Sequence, residues 1–237
     1  LKQLIFVFIG IAAMALASYA DIYLLKNYSS ALLILYILSV ASLVGVFLVG
    51  HRIRGAVGWF KFGELSFEPV EAVKLIIILL LAKYFSQRHV EVYRVRHIIV
   101  SAFYVLLPVG LVLLQPDLGS ASILAIIWLG IVLMSGIKLR HLAVVLMVGV
   151  LVFSLAWFFG LKNYQKERIL TFLNPARDPL GSSYNLIQSK IAVGSGGLWG
   201  KGLGYGSQGR LNFLPEKQTD FIFANLAQEW GFAGVLF

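Results

Sequence analysis

Residues 31–50 read ALLILYILSVASLVGVFLVG, twenty consecutive positions without a charged side chain. A twenty-residue helix is about 30 Å long, which matches the hydrocarbon thickness of a bilayer. The stretch therefore predicts a membrane-spanning helix. The same criterion, applied outward, selects 4–20, 69–85, 98–114, 121–137 and 142–161, and a seventh span, 221–237, begins after Asp220. These are continuous apolar runs and lack the short alternating segments of a membrane β-barrel, so the predicted class is an all-α polytopic membrane protein. Pro108 falls inside 98–114 and predicts a kink there.

Composition agrees. The chain has 237 residues, 59% of them hydrophobic and 13% charged, against about 25% charged in an ordinary soluble domain. Its formal charge of +9 belongs with residues flanking membrane spans, and no basic-aromatic patch points to nucleic acid. Cysteine is absent, which removes disulfides and thiolate metal sites from consideration. No signal-peptide pattern precedes the first apolar run, which reads as a span. The leucine at position 1 and the apolar run ending in Phe237 read as cut ends.

Loop charge sets orientation. Segment 83–97 carries Lys83, Arg88, Arg94 and Arg96, and 136–141 carries Lys138 and Arg140, whereas 115–120 has no basic residue. The first two loops are expected on the cytoplasmic side. The loop 51–68, with Arg52, Arg54 and Lys61 beside Glu64 and Glu68, dissents and is outvoted. Segment 161–220 then lies on the outer face. It is too long for a simple connector and too rich in aromatic and aliphatic residues for a disordered tract. Within it YNLIQSKIAV, 184–193, predicts a short amphipathic helix at the interface, followed by glycines that permit tight turns. Gly204, Gly206 and Gly209 spell GxGxxG, but no strand precedes them, so a dinucleotide site is rejected. GSGGLWGKG fails as a phosphate-binding loop because its spacing is one residue too long and Gly202 stands where Ser or Thr is required.

Ionisable residues inside spans are functional candidates, since an unpaired charge in hydrocarbon costs several kcal/mol. Glu71 and Lys74, spaced i,i+3, share a helix face and can neutralise each other, either as a packing pair or as the lining of a polar cavity. Asp117 stands at a span boundary, where an N-cap is the simpler role. Thr219 or Asp220 could likewise cap the last span. The setting of Asp220 also suits catalysis: a carboxylate at the membrane surface beside FIFANLA can accept a proton from an alcohol. Glu216 and Lys217 lie near it in sequence and could steer an anionic group.

LPEKQTDFIFANLAQEWGF (214–232), QPDLGSA (115–121), DPLGSSYNLIQSKIAVGSGGLWGKG (178–202) and EPVEAVK (68–74) resemble the signature segments of the SEDS family of cell-wall polymerases. The DPLG and IQSKIAVGSGGL segments are most similar to its RodA-type branch, with FtsW- and SpoVE-type members as near relatives. The resemblance implies a SEDS-type bundle with a large outer loop, in which this chain runs from the second to part of the eighth of ten helices. Departures are Gly58 before Trp59 in place of an arginine, EPVE in place of the common QPSE, and Gln218 in place of a histidine.

The resemblance further implies a peptidoglycan glycosyltransferase in the cytoplasmic membrane of a bacterium, acting on its outer face during cell-wall elongation. Its substrates would be lipid II and the undecaprenyl-pyrophosphate-linked glycan, with a class B penicillin-binding protein as partner. Asp220 corresponds to the family's essential outer-loop aspartate, and Glu71 and Lys74 to the acid and lysine of the fourth helix. Arg168, Lys190, Lys201 and Arg210 are candidates for stabilising the leaving pyrophosphate, with lipid headgroups as their simpler partners. A divalent cation such as magnesium or manganese is an alternative source of positive charge, although no ligand cluster identifies one. The competing readings are a precursor flippase without catalysis, which requires alternating access and repeat-related broken helices where the six spans show no internal repeat, and a structural activator of a separate synthase.

Overall fold

A computed structural model of the chain describes residues 2–19, 29–53, 56–62, 65–87, 95–179, 181, 183–207, 213 and 220–236. Contacts divide it into two compact units, Leu1–Gly149 and Val150–Phe237, where the sequence alone reads as one membrane domain.

The first unit holds α1 (Lys2–Tyr19), α2 (Ser29–Val49), strands β1 (His51–Ile53), β2 (Ala56–Phe62) and β3 (Leu65–Phe67), then α3 (Pro69–Ser86), α4 (Val95–Leu114), α5 (Leu118–Met134) and most of α6 (Leu139–Leu155). The spans expected at 31–50, 69–85 and 98–114 lie within three residues of α2, α3 and α4. Helix α4 runs through Pro108. Helix α5 begins and ends three residues before the expected 121–137. Asp117 caps its start, and Gly136 just beyond it takes a positive φ of 84°. By length and composition Ser29–Val49, Val95–Leu114 and Leu139–Gly160 suffice to cross a membrane, and Leu4–Tyr19 and Leu118–Met134 are shorter apolar helices. The charged residues of helix α3 are Glu71, Lys74 and Lys83.

The core follows from helical spacing. Val70, Val73, Ile77 and Leu81 recur along one face of α3 and are buried with Leu43, Val105, Val112, Ala121 and Leu124. Polar side chains bridge the helices where no water competes. Gln115 Nε2 donates to the Leu43 carbonyl at 2.9 Å, Trp128 Nε1 to Ser101 Oγ at 3.0 Å, and the Tyr36 hydroxyl to the Tyr104 carbonyl at 2.9 Å.

The segment 51–68 corrects the expectation of a plain loop. It forms a three-stranded antiparallel sheet in the order β1-β2-β3, with Arg52 opposite Val57 and Phe60 opposite Phe67.

In the second unit a single π-helical turn, Ala156–Gly160, ends the sixth span. Helix α7 (Asn163–Leu173), a 3₁₀ turn at Pro175–Arg177, α8 (Tyr184–Gly196) and α9 (Ile222–Val235) follow. The helix expected at 184–193 is therefore present and continues to Gly196. The seventh span is not the uninterrupted helix expected over 221–237. Gly231, with φ 68° and ψ −173°, breaks it, in a region of backbone space that only glycine occupies readily.

Candidate active site

The first unit gathers one set of predicted residues. Lys74 Nζ reaches Glu71 Oε1 at 2.7 Å, as the i,i+3 spacing predicts. The two ends differ: the Lys74 side chain is 14% exposed and that of Glu71 62%. The pair is thus anchored by a covered lysine and presents its carboxylate outward. Asp117 accepts from the Ser120 amide at 3.1 Å and caps α5, which is its simpler role.

The sequence reading passed over Glu68 as a site residue. This half-buried residue stands just ahead of Pro69, the first residue of α3. Its carboxyl is held above the ordinary carboxylate range, first by burial and then by the negative charges of Glu71 and Asp117, with Lys74 opposing. The two acids of EPVE, spaced i,i+3, were the signal that could have found it. Because the folded protein holds this proton more tightly than the unfolded chain, stability declines as pH rises from about 4.5 through the raised folded value. Glu68→Gln should therefore raise the unfolding temperature at neutral pH, with the gain disappearing below about pH 4.5. A thermal-unfolding series across pH checks this, and an equal gain at acid and neutral pH would contradict it.

The second unit holds Arg168 on α7, Lys190 on α8, Lys201 in the glycine-rich run and Asp220 in the turn before α9, all exposed. Arg210, Glu216 and Lys217 lie outside the described residues, as does Thr219. Phe221 takes the N-cap position of α9 and its side chain makes no cap bond, with Asp220 one residue ahead of it.

The glycine-rich run has a role beyond the expected turns: it fills the break in α9. Past Gly231, the amides of Phe232 and Ala233 donate to the carbonyls of Gly197 and Leu198 at 2.9 and 3.0 Å. Before the break, the carbonyls of Gln228 and Glu229 accept from the amides of Lys201 and Gly202, both at 3.0 Å. Backbone groups that a helix break would strand are thereby satisfied. Such an approach requires bare backbone. A Cβ on Gly196 would meet the Ala227 carbonyl, and one on Gly200 the Glu229 carbonyl. The run thus ties Lys201 to the helix that follows Asp220. Among the described residues, no three or more His, Cys, Asp or Glu side chains assemble in a way that could hold a metal ion.

The family described as cell cycle protein, comprising FtsW, RodA and SpoVE, matches residues 1–237. The chain is 40% identical over 202 residues to the peptidoglycan glycosyltransferase MrdB of Escherichia coli K12, covering 85% of this chain and 54% of that protein. It is 39% identical over 204 residues to the probable peptidoglycan glycosyltransferase FtsW of Haemophilus influenzae, covering 85% of this chain and 51% of the relative. Among solved structures, a chain from a peptidoglycan synthase complex that coordinates polymerization and crosslinking aligns with a TM-score of 0.75 at 34% identity, over 99% of this chain and 64% of that one. The chain spans about half the length of the curated relatives it matches. With its motifs, its apolar helices and this match along its whole length in agreement, the chain belongs to the FtsW/RodA/SpoVE family of multi-pass membrane proteins, the SEDS family.

Proposed function

We propose that the protein to which this chain belongs is an inverting peptidoglycan glycosyltransferase that polymerises lipid II on the outer face of a bacterial cytoplasmic membrane. The observation that carries the chemistry is the exposed Asp220 carboxylate, one residue ahead of the N-cap position of α9. In this reading Asp220 takes the proton of the acceptor's GlcNAc 4-hydroxyl. The oxygen attacks the anomeric carbon that bears the pyrophosphate of the growing strand. The C–O bond to pyrophosphate breaks from the opposite side, so an α-linked donor becomes a β-1,4 link, and undecaprenyl pyrophosphate leaves with the bonding pair.

Lys190 and Lys201, on the elements packed against α9, are proposed to stabilise the departing charge, with Arg168 a third candidate cation on the same unit. Magnesium or manganese is the alternative, and chelation during turnover distinguishes the two sources. Glu71, with Lys74, is proposed to face a polar cavity. A mostly exposed carboxylate on a membrane-spanning helix is too costly to direct into lipid.

The relatives' names support transfer over flipping. A class B penicillin-binding protein is the proposed partner, in keeping with the matched synthase complex. The test is glycan-strand formation from purified lipid II by the full-length protein. Translocation without strand formation would overturn the proposal.

A further inference from the structure

Gln228 is fully buried, and its amide faces two serines: Nε2 lies 3.0 Å from Ser195 Oγ and 3.4 Å from Ser207 Oγ. Hydrogen-bond direction is settled by a third group. The Ser195 hydroxyl already donates to the Ala192 carbonyl at 2.9 Å, so toward Gln228 it can only accept. The NH₂ must therefore face the serines. Oε1 is left buried without a partner, against Gly206, where a Cβ would come within 2.7 Å of it. Leaving a buried acceptor unmet is costly, so packing alone would favour an apolar side chain here. The arrangement makes sense as a fastening: one amide joins the end of α8, the glycine-rich run and the middle of α9, and the Gln228 carbonyl receives the Lys201 amide as well.

We infer that Gln228 is a positioning residue, whose clasp on Ser195 and Ser207 holds the helix that follows Asp220 in register with the elements carrying Lys190 and Lys201. This rests on the glycosyltransferase reading: if base and cations act on opposite sides of one bond, their spacing is set through this side chain. Small misplacements of reacting groups reduce turnover more than they reduce binding.

The test uses the full-length protein with purified lipid II, comparing the parent with Gln228→Leu and Ser195→Ala. For Gln228→Leu, kcat per folded enzyme should fall about 10- to 100-fold, while KM for lipid II stays within about threefold. Ser195→Ala, which leaves Ser207 in place, should lose about fivefold in kcat, and it decides the matter if Gln228→Leu does not fold. A merely structural role would lower the yield of folded protein and its unfolding temperature, with kcat per folded enzyme unchanged. Parent-like kcat in both variants, or a loss confined to KM, overturns the clasp and leaves the glycosyltransferase reading standing. A parent that forms no glycan overturns both.

Discussion

In the full-length protein, Asp220→Asn should abolish most polymerisation while leaving the fold intact. Asparagine has nearly the shape of aspartate and can still accept a hydrogen bond, but it cannot take up a proton from a sugar hydroxyl. General-base catalysis contributes about 100- to 10,000-fold, so a loss of at least about 100-fold in glycan formation is expected. Lipid II binding should persist, because the remaining contacts are untouched. The unfolding temperature should move by no more than about 2 °C, since Asp220 is exposed and Phe221 holds the N-cap position. Asp220→Glu should recover only part of the rate, because one added methylene displaces the carboxylate by about 1 Å. A helix-capping role alone predicts a different pattern, a small stability change with polymerisation largely retained, because asparagine caps about as well as aspartate. Parent-like strand formation by the asparagine variant would remove Asp220 as the base.

The largest stability effect is expected at Gly231. Its φ of 68° and ψ of −173° are open to glycine almost alone. A methyl group there would also run into the Gly200 amide nitrogen and the Leu198 carbonyl oxygen. Backbone strain and overpacking each cost about 1–3 kcal/mol, so Gly231→Ala should destabilise by about 3 kcal/mol or more. The damage should be local first: the amides of Phe232 and Ala233, bonded to the glycine-rich run, should exchange faster with solvent. Gly204→Ala is the matched control. Gly204 also has a positive φ, 76°, but nothing lies within 4 Å of its would-be Cβ. It should cost only the left-handed backbone penalty of about 1–2 kcal/mol. Thermal unfolding and amide exchange of the two variants in detergent check both, and equal effects would show that the packing of the run around the break contributes nothing.

Local chemistry explains which features were legible without a structure. A bilayer fixes the length of an apolar helix, so 31–50 and its counterparts announced the spans. The i,i+3 spacing of Glu71 and Lys74 gave their ion pair, and an aspartate before an apolar run gave the Asp117 cap. The sheet of β1, β2 and β3 is less legible, because its strands are short and interspersed with the charges of a connecting loop. Yet FKFGELSF, with Gly63-Glu64 between two short β-prone runs, carried a hairpin signal. Asp220 as a candidate base came from a carboxylate set against an apolar run, and its motif supplied the family.

Other features depend on distant residues and left no local trace. The break at Gly231 is tolerated because Gly197 and Leu198 supply carbonyls to the stranded amides, and Gln228 meets Ser195 across 33 positions of sequence. Glu68 acquires its perturbed carboxyl only when folding buries it and brings Asp117 near it. The sequence by itself determined a helical membrane protein of this family and named its candidate base, because span length, charge and motif are properties of contiguous residues. Tertiary structure alone decided how the glycine-rich run grips a broken helix and which acids share one field, because hydrogen-bond partners and electrostatic neighbours exist only once remote segments have come together.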